Sequence, residues 1–189
     1  MWARILMPDG GRSTFLALWP PRGLRAGLSA LADRACGGRP VGPADVHLTV
    51  LYLGPLADDE QNRVVIALRE VRVPAFRLSL DRLGIFRSGR VFWVGPAIAP
   101  ASLVLLNALL ASLDLPRRAA QAGARRPFRP HVTLVRGARQ TQTGVLDPPL
   151  SWTVRDLVLA VRAPGGRGVY RRLARWRLGA GGEERASIE

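Results

Sequence analysis

The 189-residue chain has no lysine, one cysteine and two histidines, and no apolar run approaches the roughly 20 residues that would span a bilayer. Cys36, being alone, excludes an internal disulfide and reads as an inert thiol. No Cys/His cluster has zinc-ligand spacing and no HExxH occurs, so neither a metal nor a cofactor is expected. No Gly-rich phosphate loop opens any helix. Residues Met1 to Thr14 are broken by Pro8, Asp9, Gly10 and Gly11 and carry no secretory stretch. These absences exclude a membrane association and predict a soluble, cytoplasmic monomer.

What remains is a globular composition, 48% apolar and 22% charged, of a length that suits one domain with a sizeable core. All 28 basic residues are arginine, against 14 acids, for a net charge of +14. A GC-rich codon bias explains the missing lysines. The distribution is more telling, because residues 117 to 177 hold 14 arginines against only Asp147 and Asp156. Such a segment attracts phosphates over a Debye length, although a merely solvated basic face has the same composition.

The apolar period changes repeatedly along the chain. Ser13 to Leu18 reads as a buried strand closed by Pro20 and Pro21, after which Leu24, Leu28, Leu31 and Ala35 fall at helical spacing up to Gly37, Gly38 and Pro40. A strand is predicted over Val46 to Leu53, ending at Gly54. Asp58 and Asp59 are placed to cap a second helix with Val64, Leu68 and Val71 on one face. Phe76 to Leu83 and Val91 to Val94 form a strand pair turned at Ser88 and Gly89, and a third helix runs from Ala101 to about Leu113, buried through Leu103, Leu106, Leu110 and Leu113. Arg117 to Arg129 is irregular. Strands are predicted at His131 to Arg136, Ser151 to Val161 and Val169 to Leu178, the last two separated by Pro164, Gly165 and Gly166. The mixture lacks strict βαβ alternation, which predicts an α+β fold with largely antiparallel sheets. Residues 1–12 form an N-terminal extension, 13–178 one domain, and 179–189 a frayed tail.

Both histidines stand in one local pattern, His47-Leu48-Thr49-Val50 and His131-Val132-Thr133-Leu134. Six threonines and the apolar fraction give a random histidine roughly a 0.7% chance of this context, so two of two is not coincidence. In a strand, residues i and i+2 share a face, so each strand offers an imidazole and a hydroxyl on one side and apolar residues to the core on the other. One such strand alone would be a satisfied structural element whose threonine suits a sheet. Two of them supply a proton donor, a proton acceptor and hydroxyls for non-bridging phosphate oxygens, the parts needed to cleave a phosphodiester near neutral pH.

The chain resembles the two-histidine phosphoesterases, and within them the RNA 2′,3′-cyclic phosphodiesterases once named 2′-5′ RNA ligases. The likeness runs from about Phe15 to Leu178 and rests on Phe15-Leu16-Ala17-Leu18, Val46 to Gly54, Phe92-Trp93-Val94-Gly95 and, most specifically, Arg126-Pro127-Phe128-Arg129-Pro130-His131-Val132-Thr133-Leu134-Val135-Arg136. It implies a bilobal α+β fold in which two mostly antiparallel sheets, flanked by helices, bound a central basic cleft, with one His-x-Thr-x strand in each lobe. It also implies metal-independent hydrolysis of RNA ends bearing a 2′,3′-cyclic phosphate to a 2′-phosphate, with His47 as proton donor and His131 as acceptor. Thr49, Thr133 and Arg136 are the implied phosphate contacts, and Arg129, flanking the second motif, joins them. The chain departs from the family pattern at Leu51, where a basic residue is common, and at Ala163, where a serine is. Related chemistry on small nucleotides, reversible 2′-5′ ligation, and an idle RNA-binding module are the alternatives. Phe15, Tyr52, Phe92, Trp93, Phe128 and Tyr170 are candidates for stacking on a base or, more commonly, for the core. The Arg171-Arg172 pair fits a substrate contact and a solvated strand edge equally well.

Overall fold

The computed structural model describes residues 12–116, 127–162 and 170–179. Its elements follow in the order β1 (Arg12–Leu18), α1 (Arg22–Ala30), β2 (Ala35–Cys36), β3 (Arg39–Pro40), β4 (Leu48–Leu56), α2 (Asp58–Ala67), β5 (Phe76–Phe86), β6 (Val91–Gly95), α3 (Ala101–Ser112), β7 (Val132–Arg136), β8 (Gln140–Thr141), β9 (Gly144–Val154), β10 (Asp156–Arg162) and β11 (Tyr170–Arg177). The fold is α+β, and every described strand pairing is antiparallel.

Two sheet halves make the two lobes. One runs β11-β10-β1-β4 and the other β7-β6-β5-β9, with β3 added to β7 and a separate small pair β2-β8. The halves meet at one residue couple, Leu48 opposite Val132. Leu48 and Val132 are both fully buried, as are Leu16, Leu78, Phe92 and Leu159 from the neighbouring strands, so one continuous apolar core runs under both lobes. Burying such side chains supplies roughly 1.5–3 kcal/mol each before entropy is counted, enough to weld the halves together. Helix α3 braces the core side of β4: Leu103, Leu106 and Leu110 are fully buried, and Asn107 Nδ2 donates to the Val50 carbonyl at 2.8 Å.

Several predicted boundaries move. The first helix stops at Ala30, a single 3-10 turn covers Leu31–Arg34, and Ala35 already belongs to β2. The strand predicted from Val46 begins at Leu48, and Gly54 does not end it: the β1–β4 register slips between Thr14 and Phe15, and the strand continues to Leu56. Asp58 and Asp59 lie in the first turn of α2 rather than at its cap, which is Ala57, whose N–H donates to Glu60 Oε2 at 2.8 Å. Ser151 to Val161 is not one strand. It divides at Arg155, because β9 pairs with β5 in one lobe and β10 with β1 in the other. The predicted Pro164-Gly165-Gly166 turn, Ala163, most of the irregular arginine segment and both chain ends fall outside the described residues.

Candidate active site

The couple that joins the lobes also places the histidines. Each precedes a member of it, His47 before Leu48 and His131 before Val132. Flanking residues of an antiparallel couple lie crosswise, so His47 faces across to Thr133 and His131 to Thr49. All four side chains are partly exposed while the intervening Leu48 and Val132 are buried, as two-residue alternation requires.

The two imidazoles are held in the same way. His47 Nδ1 lies 2.5 Å from the Asp45 carbonyl oxygen and His131 Nδ1 lies 2.8 Å from that of Arg129. A carbonyl only accepts, so Nδ1 carries the proton in both rings and each Nε2 is left to exchange one. For His47 the preceding backbone is set by a turn in which Asp45 N–H donates to the Gly42 carbonyl. Asp45 is itself buried, and its Oδ1 accepts the Tyr170 N–H at 3.1 Å, tying β11 to the loop before His47.

Aromatic rings wall both sites. His47 stacks on Phe15 and on Trp19, each at 4.8 Å between centroids, and meets the edge of Tyr170 at 5.1 Å. Phe15, Ala17, Val158 and Ala160 form a small apolar floor beneath Trp19 and Tyr170. His131 touches Phe86 edge-on at 4.8 Å and Trp93 at 6.4 Å. A Cβ on Gly84 would come within 2.2 Å of the Trp93 ring, so only glycine lets that indole lie flat across β5. The denser packing leaves its mark. Burial pushes the His47 pKa down to about 4, against a partial lift from the Asp45 carbonyl, with the charges of Arg136 and His131 lowering it further. Burial, and then Arg136, also lower His131.

Thr133 and Arg136 join His47 in lining a cleft of about 610 Å³. Its other wall is the run from Arg39 to Asp45, and Arg162 and Tyr170 close the far side. Arg39 stands directly opposite Arg136 in the β3–β7 register, and neither has an acidic partner among the described residues. Gly38 makes that pairing possible: at φ +85° a Cβ would lie 2.6 Å from the Arg136 carbonyl oxygen. Of the other residues singled out in the sequence, His131 and Thr49 lie outside this lining and face each other on the other side of the couple, while Arg129 stands apart, its side chain exposed and its carbonyl spent on His131. Asp45, Trp19, Arg39 and Arg162 are not singled out by sequence pattern. Trp19 sits one residue beyond the first strand, and a periodicity in positions 15, 17 and 19 was the available signal. Among the described residues no three His, Cys, Asp or Glu side chains gather in one place.

The model of the 2′-5′ RNA ligase superfamily matches residues 20–166, a span that holds both His-x-Thr-x motifs. The chain belongs to this superfamily. Two similar members of it are RNA 2′,3′-cyclic phosphodiesterases. That of Escherichia coli is 33% identical over 147 residues, 75% of this chain and 80% of the relative. That of Thermus thermophilus is 31% identical over 188 residues, 91% of this chain and 93% of the relative. The crystal structure of E. coli LigT complexed with 3′-AMP superposes with a TM-score of 0.76 at 29% identity, covering 89% of this chain and 99% of that one. The superfamily's bilobal arrangement, with helices outside and a cleft between sheets, is the arrangement found here. Where the family commonly has a basic residue after the first motif, Leu51 packs against the core instead.

Proposed function

We propose that the protein hydrolyses RNA termini bearing a 2′,3′-cyclic phosphate, with His47 as general acid and His131 as general base. The observation that carries the reading is the matched pair of imidazoles, each with Nδ1 bound to the carbonyl two residues earlier and Nε2 free, beside threonines on either side of the couple that joins the lobes. The phosphodiesterase activity of the E. coli and T. thermophilus relatives supports the same substrate.

In this reading His131 Nε2 takes a proton from water as its oxygen bonds to phosphorus. The P–O3′ bond breaks on the opposite side, and His47 Nε2–H delivers a proton to the departing O3′. The product carries a 2′-phosphate and a free 3′-hydroxyl. In-line displacement needs acid and base on opposed sides of phosphorus, and two motifs from different lobes supply them. Thr49, Thr133 and Arg136 hold the non-bridging oxygens while charge redistributes. Arg39, beside Arg136 in the register, adds a second cation, and Arg129 contributes mainly through its carbonyl. His47 is neutral in the empty site near pH 7, and the anionic phosphate is what raises its proton affinity enough to act as an acid. The test is to incubate the protein with an oligonucleotide ending in a 2′,3′-cyclic phosphate and identify the product. A 2′-phosphate is expected, and an intact ester would overturn the reading.

A further inference from the structure

A group of three arginines lies outside the cleft, along the route leading away from His47. The contacts are successive: His47 stacks on Trp19 at 4.8 Å, and the Arg172 guanidinium sits over the Trp19 ring at 4.8 Å. Arg25 follows, its Nε donating to the carbonyl of Pro20, the residue after Trp19, at 2.9 Å. Arg25 is thus bonded to the residue next to the tryptophan that Arg172 covers, and Arg22 lies one helical turn before Arg25 on α1; the lowered pKa of Arg25, from burial and then the charges of Arg172 and Arg22, agrees with that grouping. None of them has an acidic partner among the described residues, and the first turn of α1 has no acid. Like charges gathered without counter-charge repel, and the fold holds them together through a backbone bond and a cation–π contact instead.

We infer that Arg172, Arg25 and Arg22 form a track for the phosphates of the RNA chain on the 5′ side of the cyclic end. The inference rests on the function proposed above and adds to it a preference for oligomers over mononucleotides. A single-stranded backbone presents one anion per nucleotide, which suits cations spaced along a path better than clustered at a point. The path starts from the imidazole proposed to act at the terminal phosphate, so it offers the adjoining nucleotides a continuous run of cations. Arg172 lies on β11 opposite Ala160, and Arg175 follows on the same strand opposite Val158, so basic side chains extend along this sheet edge.

The experiment compares the wild type with Arg22→Gln/Arg25→Gln, neither residue being among those that line the cleft. Two substrates are used: a mononucleoside 2′,3′-cyclic phosphate, and a single-stranded RNA of about ten nucleotides ending in the same group. The double variant should lose about tenfold in kcat/KM on the RNA at low salt and show a salt slope shallower by about 1.4, at 0.7 per lost contact. Its turnover of the mononucleotide should be unchanged. Equal kcat/KM on the RNA, or a parallel loss on both substrates, would overturn the track. Arg22→Gln alone gives half the change in slope and serves if the double variant misfolds. If the wild type cleaves neither substrate, the catalytic reading fails by itself. Fluorescence anisotropy with labelled single-stranded RNA then tests the track separately, weaker binding by the variant supporting it and equal binding refuting it.

Discussion

A histidine bonded through Nδ1 to a carbonyl is a one-sided proton carrier, and the chain has two. Replacing either His47 or His131 by alanine should lower turnover about 10²-fold or more, the usual scale of acid/base loss. The two variants should part on a substrate with a better leaving group, which needs less protonation: it should rescue His47→Ala and leave His131→Ala slow. The reverse pattern would exchange the roles. Thr49→Ala and Thr133→Ala should each cost less than either histidine, since other donors remain on the phosphate. Burial adds a pH signature. With both imidazoles below their ordinary value, kcat/KM, which reports the free protein, should follow a bell centred below pH 6.5, and kcat a bell shifted upward because bound phosphate lifts both groups. For folding, the sign follows from His47 being harder to protonate in the native state. Stability is full above about 6.5, the unfolded value, and falls as pH drops toward about 4. Urea melts of wild type and His47→Ala between pH 4 and 7 check this, the variant showing the flatter dependence.

At the scale of elements, the sequence disclosed the strands and not how they are approached. Alternation around Leu48 and Val132 placed each histidine and threonine on one face. It could not show that both histidines stand just before their strands, because the bond that holds them goes to a backbone carbonyl, which leaves no trace in residue type. Arg39 was hidden for a different reason: β3 is two residues long and has no period to read. Ser151 to Val161 reads as one strand because no glycine or proline interrupts it. Its change from alternating (Leu150, Trp152, Val154) to continuous (Leu157 to Val161) marked the crossover at Arg155. Asp45 links elements far apart in sequence, and Asp45→Ala should leave the Tyr170 N–H unpaired. A loss of about 1–3 kcal/mol is expected from a thermal melt, together with reduced turnover as β11 and its Tyr170 ring shift from His47.

For the whole molecule, two lobes suggest two folding units, yet the apolar core is continuous beneath them. Unfolding should therefore be a single transition. Single-tryptophan variants reporting from Trp19 in one lobe and Trp93 in the other should give coincident denaturation curves, and separated midpoints would show independent halves. Leu48→Ala, at the couple that joins the halves, should cost about 2–5 kcal/mol and move both reporters together.

That couple also acts as a fulcrum. Any rocking of one lobe on the other turns about Leu48 and Val132, and points beside a pivot travel least. The separation of the two imidazoles is thus the length in the cleft least sensitive to such motion. Arg39 and Arg136, paired with each other several residues from the couple, would move as one body in such a rotation. A pivot so placed would hold the span between the two imidazoles nearly constant while parts of the lobes farther out shifted against each other.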